Sequence, residues 1–166
     1  MTLVAVSAGE SATSKTLRLV AGVVGERGGE VIDLSTLSAD GLLGRADDPA
    51  VAAAVERAAA ADVLVVATPI YRATYTGALK AFFDRFPAGA LAGTAVVLVA
   101  TAGIADHFLA LDTGGRALIA SLDGFVVPKV VYAVSADFVD GEPAPALLEA
   151  LRDAIDQADA VADAIR

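Results

Sequence analysis

The residue types best suited to ligand chemistry lie in a short polar segment near the N-terminus, residues 7–16. The segment contains Ser7, Gly9, Ser11, Thr13, Ser14, Lys15 and Thr16. Hydroxyl groups and free amides at the start of a helix bind a phosphate monoester with little help from cations. The spacing matches neither the G-x-G-x-x-G of dinucleotide sites nor the G-x-x-x-x-G-K-[ST] of nucleoside triphosphatases. The segment therefore predicts a site for a single phosphate, the simpler alternative being that Ser14 only caps a helix.

A second candidate segment, TPIYRAT, covers residues 68–74. Pro69 fixes its own φ and lacks an amide proton, so we expect the chain to leave the preceding strand extended. The amides of Ile70 and Tyr71 are then expected to face a planar ligand such as a flavin. The alternative is an ordinary strand-to-helix turn whose tyrosine packs on the core.

The third candidate segment is Thr101-Ala102-Gly103, whose small residues allow the backbone to approach a ring. His107 follows it and is interpreted as a polar residue in the first turn of a helix, without a catalytic role.

These segments must be positioned by regular elements, which the hydrophobic pattern predicts. Strands are expected at residues 3–6, 31–34, 62–67, 94–100 and 125–134, the last interrupted at Pro128. Helices are expected from Ser14 to near Gly25 or Gly28, at 49–60 with Asp47 or Asp48 as its cap, and at 75–86, 107–122 and 146–165, with loops at 35–48 and 137–145. Two glycines at Thr113-Gly114-Gly115, each costing about 1 kcal/mol in a helix, predict an irregularity there.

The alternation of strands and helices indicates an α/β fold, a doubly wound parallel sheet of five strands with helices on both faces. We expect one such domain over residues 1–166. The first, third and fourth strands end at the same edge of a parallel sheet, so the three candidate segments are expected to form one site.

Composition excludes several other functions. The net charge of −9 disfavours nucleic acids and anionic membranes as partners. The absence of cysteine excludes disulfides and thiolate metal or iron–sulfur sites, and a single histidine excludes a histidine cluster, so no metal site is expected. The longest apolar run, residues 95–104, is shorter than the roughly 20 residues of a transmembrane helix, and the N-terminus lacks a basic region before an apolar one. A cytoplasmic location is expected, and any redox chemistry must be carried by an organic cofactor.

Residues 68–84, TPIYRATYTGALKAFFD, resemble the pattern T-P-x-Y-x-x-x-x-G-A-L-K-x-x-x-D of NAD(P)H-dependent FMN reductases of the flavodoxin-like class. The alkanesulfonate-system reductases, which supply reduced flavin to a monooxygenase, are the most similar type. The resemblance implies a flavodoxin-like fold, hydride transfer from NADPH or NADH to flavin N5 without a catalytic side chain, and a partner monooxygenase. It also extends to the first loop, where this chain has Gly9 in the place of a common arginine, and to the ATAG that ends the fourth strand.

The residues expected to bind FMN or the pyridine nucleotide are Ser7, Gly9, Ser14, Lys15, Thr16, Pro69, Ile70, Tyr71, Arg72, Thr101, Ala102 and Gly103. Arg72 is the candidate contact of the pyridine nucleotide, its alternative being an ordinary surface residue.

The helix predicted at 75–86 bears on assembly. Its apolar residues form an arc wider than one contact with a sheet requires, so we expect a homodimer or tetramer formed through this helix.

Other functions of the same fold stay open at this point. They are a non-enzymatic electron carrier that holds its flavin tightly and a quinone or azo-dye reductase. A signalling receiver is disfavoured, because Ser7-Ala8 and Thr68-Pro69 stand where it needs acidic residues.

Overall fold

A parallel β-sheet forms the centre of the structure, a computed structural model that describes residues 1–165. Its strands are β1 (Leu3–Ser7), β2 (Glu30–Asp33), β3 (Val63–Pro69), β4 (Ala95–Ala102), β5 (Phe125–Val126) and β6 (Val131–Val134). The order is β2-β1-β3-β4-β5, and β6 continues beside β4 where β5 ends. This order is the flavodoxin-like one, so the predicted fold class is confirmed.

Helices cover both faces of this sheet. They are α1 (Lys15–Glu26), α2 (Ala39–Leu42), α3 (Pro49–Ala59), α4 (Gly77–Phe83), α5 (Arg116–Ala120) and α6 (Pro145–Ile165). Apolar residues of α1 and α6 pack on one face, and those of α3, α4 and α5 pack on the other. Both faces of β3 and nearly all of β4 are therefore buried, which explains why these strands read as continuous apolar runs. No helix within residues 1–165 combines the length and apolarity needed to cross a bilayer.

Side-chain caps set the starts of the main helices. Ser14 Oγ accepts a hydrogen bond from the amide of Leu17 at 3.2 Å, and Asp48 accepts from the first-turn amides of α3. Both helices thus begin at predicted caps.

The fourth helix is shorter than the predicted range of 75–86. Thr76 caps it by accepting from Leu79, and the amide of Thr76 itself donates to the buried Thr68 Oγ1 at 3.2 Å. These bonds hold residues 70–75 outside the helix. The helix ends at Phe83, and the rings of Phe82, Phe83 and Phe86 form a buried cluster.

Two predicted loops contain short elements. Residues 35–48 include α2, capped by Ser38, and residues 137–145 include a hairpin of β7 (Phe138–Val139) and β8 (Glu142–Pro143). Neither element is long enough to show a hydrophobic period, so the loop predictions were wrong there.

The segment predicted as one helix at 107–122 is broken into turns. A 3₁₀ turn (Ala105–His107) is followed by a π-helical turn (Leu111–Gly115) and then by α5. The predicted irregularity at Thr113-Gly114-Gly115 is confirmed. A Cβ added at Gly115 would lie 3.1 Å from Leu98 of β4, so the glycine permits close packing on the sheet.

The predicted interruption of the last strand at Pro128 is also confirmed. The guanidinium of Arg116 donates to the carbonyls of Val127 at 3.1 Å and Pro128 at 2.9 Å. Arg116 therefore satisfies backbone acceptors that the interruption removes from the sheet ladder.

Candidate active site

The loops that follow β1, β3 and β4 line one cavity of about 330 Å³ at the carboxyl edge of the sheet. The cavity is lined by Gly9, Glu10, Ser11, Ser14, Lys15, Thr16, Pro69, Ile70, Tyr71, Thr101, Ala102, Gly103 and Ser135. The strand register brings these loops together by pairing Ser7 with Ala67 and Pro69 with Thr101. All the predicted binding residues except Ser7 and Arg72 therefore line a single cavity.

The start of α1 forms the polar end of this cavity. The amides of Lys15 and Thr16 donate to no acceptor within residues 1–165, so they are available to an anion. The ammonium group of Lys15 lies 5.1 Å from the centre of the Phe138 ring, which holds the cation beside the helix start.

Gly9 is required by the packing of the first loop. A Cβ at this position would lie 2.0 Å from Ser14 Oγ and 2.7 Å from Ser14 Cβ. A larger residue would therefore displace the side chain that caps α1.

Ser7 lies beneath this loop and is fully buried. Its Oγ has no hydrogen-bond partner in the described structure. The hydroxyl lies close to Gly9, since a Cβ added at Gly9 would be 3.7 Å from it. A buried hydroxyl without a partner is costly and rare, so a bound ligand is a natural source of the missing bond.

The segment after β3 departs from the sequence prediction. The amide of Ile70 donates to Thr101 O at 2.8 Å, and the amide of Tyr71 donates to Thr74 O at 3.0 Å. The expectation that these two amides face a ligand was wrong, because the chain continues to pair with β4 and then forms a tight turn. Pro69, Ile70 and Tyr71 still border the cavity, and Tyr71 is 48% exposed.

The turn itself has an unusual backbone. Arg72 and Ala73 both have positive φ, 52° and 63°, between the paired residues Tyr71 and Thr74. Residues other than glycine adopt this backbone conformation at a cost of about 1–2 kcal/mol each. The turn places Arg72 outside the main cavity.

The end of β4 forms the remaining wall. Thr101 Oγ1 lies 2.6 Å from Thr16 Oγ1, and both hydroxyls are buried. Tyr132 Oη donates to the carbonyl of Ile104 at 2.8 Å and so anchors the loop that follows Gly103.

Two larger cavities adjoin the first. One, of about 530 Å³, lies towards the residues that precede α4, and the other, of about 610 Å³, is lined by Arg72, Ile104 and His107 among others. Glu10 and Tyr71 are the two residues common to all three lining sets. Burial raises the pKa of the Tyr71 hydroxyl, as do the negative charge of Glu10 and a side-chain hydrogen bond with it.

Glu10 and Ser135 line the cavity but were not predicted from the sequence, and Ser11 was noted in the polar segment without being predicted to bind the ligand. Glu10 is one acidic residue in a polar loop, with no spacing that marks it. Ser135 follows β6 and reaches the cavity only because the interrupted last strand resumes beside β4.

The lining chemistry fits a ligand with a phosphate at one end and a flat ring at the other. Hydroxyls and helix amides occupy the polar end, and Pro69, Ile70 and Tyr71 occupy the apolar end.

Comparisons with known proteins agree with this geometry. Over 145 residues the chain is 38% identical to an FMN reductase (NADPH) of Pseudomonas aeruginosa. The aligned region covers 82% of this chain and 78% of the relative. It is 36% identical over 147 residues to the NADH-dependent FMN reductase SfnF of Pseudomonas fluorescens, covering 83% of this chain and 79% of that one. The crystal structure of an NADH:FMN oxidoreductase (EMOB) in its apo form superposes with a TM-score of 0.85 at 33% identity, over 99% of this chain and 90% of that chain. Residues 1–139 match the family described as NADPH-dependent FMN reductase, and the chain belongs to that family.

Proposed function

We propose that this protein is an enzyme, an FMN reductase that transfers a hydride from a reduced pyridine nucleotide to FMN. The observation that carries the proposal is the single cavity in which the ends of β1, β3 and β4 combine a phosphate-type end with an apolar wall. Membership of the FMN reductase family supports the same assignment.

In this proposal the start of α1 binds the FMN phosphate. The free amides of Lys15 and Thr16 and the hydroxyl of Ser14 supply donors, and the positive end of the helix dipole favours the anion. These local groups compensate for a net charge of −9 that would otherwise repel a phosphate. The buried Ser7 hydroxyl gains its partner when the ligand binds.

The apolar end of the cavity holds the isoalloxazine ring. Pro69, Ile70 and Tyr71 border it on one side, and Thr101, Ala102 and Gly103 border it on the other. The hydrogen bond from Ile70 N to Thr101 O joins these two walls of the cavity. The distance between them is therefore fixed before the ligand binds.

The reaction needs no acid or base from the chain. FMN, when bound, accepts a hydride at its N5, and solvent supplies any proton. The residues of the cavity orient the two reactants and exclude water from the ring, which is the usual protein contribution to such a reaction.

The outer cavity beside Arg72 is proposed to receive the pyridine nucleotide. It shares Ile70, Tyr71 and Gly103 with the flavin cavity, so a nicotinamide ring there would lie next to the bound flavin. Arg72 supplies a cation for the nucleotide's phosphates.

We also propose that the protein delivers reduced flavin to a flavin-dependent monooxygenase. It acts as one domain over residues 1–166, in the cytoplasm.

The homodimer or tetramer remains a prediction. The prediction came from Ala78, Ala81 and Phe83, which widen the apolar arc of the helix. Phe83 is buried within the chain, Ala81 is half-buried and Ala78 is exposed, so any interface through α4 must use exposed residues such as Ala78.

The first test is an FMN titration of the purified protein followed by flavin fluorescence. We expect saturable binding, weakened about tenfold or less by Ser14→Ala, which removes the cap and one donor. Ser121→Ala is the matched control. Ser121 donates to Leu118 O at the end of α5, next to the amino end of β5, whereas the cavity lies at the carboxyl edge of the sheet. Absence of binding by the unmutated protein would overturn the proposal.

The second test is stopped-flow mixing of protein and FMN with NADH or NADPH. Catalytic bleaching of flavin absorbance by at least one nucleotide is expected. Tight flavin binding without bleaching by either nucleotide would instead indicate an electron carrier.

A further inference from the structure

The turn at residues 71–74, between β3 and α4, has a backbone that its sequence does not favour. Tyr71 and Thr74 pair across it through two N–H···O bonds of 3.0 and 3.2 Å. The two residues between them, Arg72 and Ala73, have φ of 52° and 63°. A two-residue loop with positive φ at both positions is usually formed by Asn-Gly, Asp-Gly or Gly-Gly. Since an arginine and an alanine stand there instead, local preference does not account for this left-handed turn.

Hydrogen bonds on both sides of the left-handed turn hold it in this conformation. Before the turn, the amide of Ile70 donates to Thr101 O of β4 at 2.8 Å. After the turn, the amide of Thr76 donates to the buried Thr68 Oγ1 at 3.2 Å. The sheet therefore fixes one end of the turn, and the cap of α4 is tied to the sheet at the other.

The π-helical turn packs against the same segment. A Cβ added at Gly114 would lie 3.1 Å from Tyr75 Cε1 and 3.7 Å from Thr74 Oγ1, so the glycine permits a close contact. Strained backbone persists only where the surrounding structure imposes it, and such strain is concentrated at functional sites. The strain in the left-handed turn is thus imposed by neighbouring elements, and a functional reason for it can be sought in the side chains that the turn carries.

Arg72 is the charged side chain that the left-handed turn carries. It lines the outer cavity, where it is the only lysine or arginine among the described lining residues. Within residues 1–165 its guanidinium forms neither an ion pair nor a hydrogen bond. Because no partner side chain holds Arg72, the direction in which it leaves the backbone is set by the turn.

Ala73 differs from Arg72 in its position. It is exposed, and it lines neither the flavin cavity nor the two cavities that adjoin it. Any effect of Ala73 on a ligand must therefore pass through the backbone of the turn.

We propose that the left-handed turn is a positioning device for nucleotide binding and that Ala73 is its positioning residue. By keeping a positive φ, Ala73 holds Arg72 at the outer cavity, where the guanidinium binds phosphates of the reduced pyridine nucleotide before hydride transfer. An arginine held in this way loses less conformational freedom on binding than one on a flexible loop. The inference rests on the proposed function, and it predicts that Ala73 acts only through Arg72.

Substitutions of Ala73 that differ in their tolerance of positive φ test this role. Ala73→Gly adopts the conformation without strain, so we expect an unchanged KM for the pyridine nucleotide and an equal or higher melting temperature. Ala73→Val disfavours the conformation, and the exposed site accepts its volume. It should raise the KM about three- to fivefold and change kcat by less than about twofold. A fluorescence titration should show FMN affinity within about twofold of the unmutated protein for both variants.

A double-variant cycle separates positioning of Arg72 from a general disturbance of the loop. Arg72→Gln should raise the KM about fivefold, and addition of Ala73→Val should raise it no further. Asp123→Val is the matched control, because Asp123 also has a positive φ, 64°, but precedes β5 at the opposite edge of the sheet. This control should lower the melting temperature as Ala73→Val does, without a change in KM.

Three results would overturn the inference. They are an unchanged KM in Ala73→Val, an equal rise in KM with and without Arg72, and a rise in Ala73→Gly as large as that in Ala73→Val. The last result would show that the methyl group matters and the backbone conformation does not. No turnover by the unmutated protein with either nucleotide would instead overturn the proposed function, and the unmutated protein alone reveals that failure.

Discussion

The hydroxyls of Thr16 and Thr101 lie 2.6 Å apart and are both buried, although 85 positions separate them in the sequence. Thr16 is in the first turn of α1 and Thr101 is near the end of β4, so this bond joins the polar end of the cavity to its far wall. A long-range contact between a helix and a strand therefore contributes to the geometry of the site.

This contact predicts a measurable coupling. Thr101→Val or Thr16→Val alone leaves one buried hydroxyl without a partner and should lower the free energy of unfolding by about 1–2 kcal/mol. The double variant should cost less than the sum of the two, because neither hydroxyl is then left unpaired. Urea unfolding measures all three variants. Thr113→Val is the control for loss of an exposed hydroxyl, because Thr113 Oγ1 donates to Leu109 O at 3.0 Å at the surface of the π-helical turn. Additive costs would contradict the coupling.

The unpaired hydroxyl of Ser7 predicts opposite effects on stability and on binding. Ser7→Ala removes a buried polar group that has no partner, so the protein without FMN should be as stable as before or slightly more stable. FMN affinity should fall by about two- to tenfold, because the ligand loses one hydrogen bond. Thermal unfolding without flavin and a fluorescence titration check the two halves. A clear loss of stability without flavin would show that Ser7 has a structural role instead.

Two glycines near α1 predict contrasting results for the same substitution. Gly9→Ala should displace Ser14, lower the free energy of unfolding by about 1 kcal/mol and weaken FMN binding. Gly22→Ala, within α1 and with nothing within 4 Å of the added Cβ, should stabilise the protein by up to about 1 kcal/mol. Chemical denaturation with a parallel FMN titration distinguishes them. Equal effects would argue against the close contact between Gly9 and Ser14.

The anchor of the third loop predicts an effect on binding with little loss of stability. Tyr132→Phe removes the bond to Ile104 O, made by a residue of β6 that is only partly buried. The loop after Gly103 should become more mobile, and the KM for FMN should rise by about two- to tenfold while the melting temperature changes little. Steady-state kinetics and thermal melting test this, and an unchanged KM would contradict it.

The cap of α3 predicts a specific dependence of stability on pH. A side-chain bond from Ser38, followed by the amide of Ala50, lowers the pKa of Asp48 below its ordinary value of 3.8. A lowered pKa in the folded state means that the ionised carboxylate adds stability above pH 3.8, and that this contribution is lost as the pH falls through the folded value. Asp48→Asn should therefore flatten the acid limb of a plot of stability against pH while leaving the neutral region less affected. An unaltered acid limb would contradict the assignment.

The sequence by itself determined the long elements of the fold and the three loops of the site. Strands buried on both faces read as uninterrupted apolar runs, and the caps Ser14 and Asp48 mark where helices start, because these signals depend on residues close together in the chain. The block at residues 68–84 was sufficient to predict the family to which the chain belongs.

Only the tertiary structure decided the details that depend on distant partners. The amide of Ile70 donates to Thr101 O, and the amide of Tyr71 donates to Thr74 O. The two amides expected to face a ligand are therefore already paired. Ser135 reaches the cavity, and Glu10 lies where all three cavities meet, because strand order and register bring separate loops to one edge. Local pattern encodes which residues form strands and helices, whereas hydrogen-bond partners and charge placement arise from contacts between segments far apart in the chain.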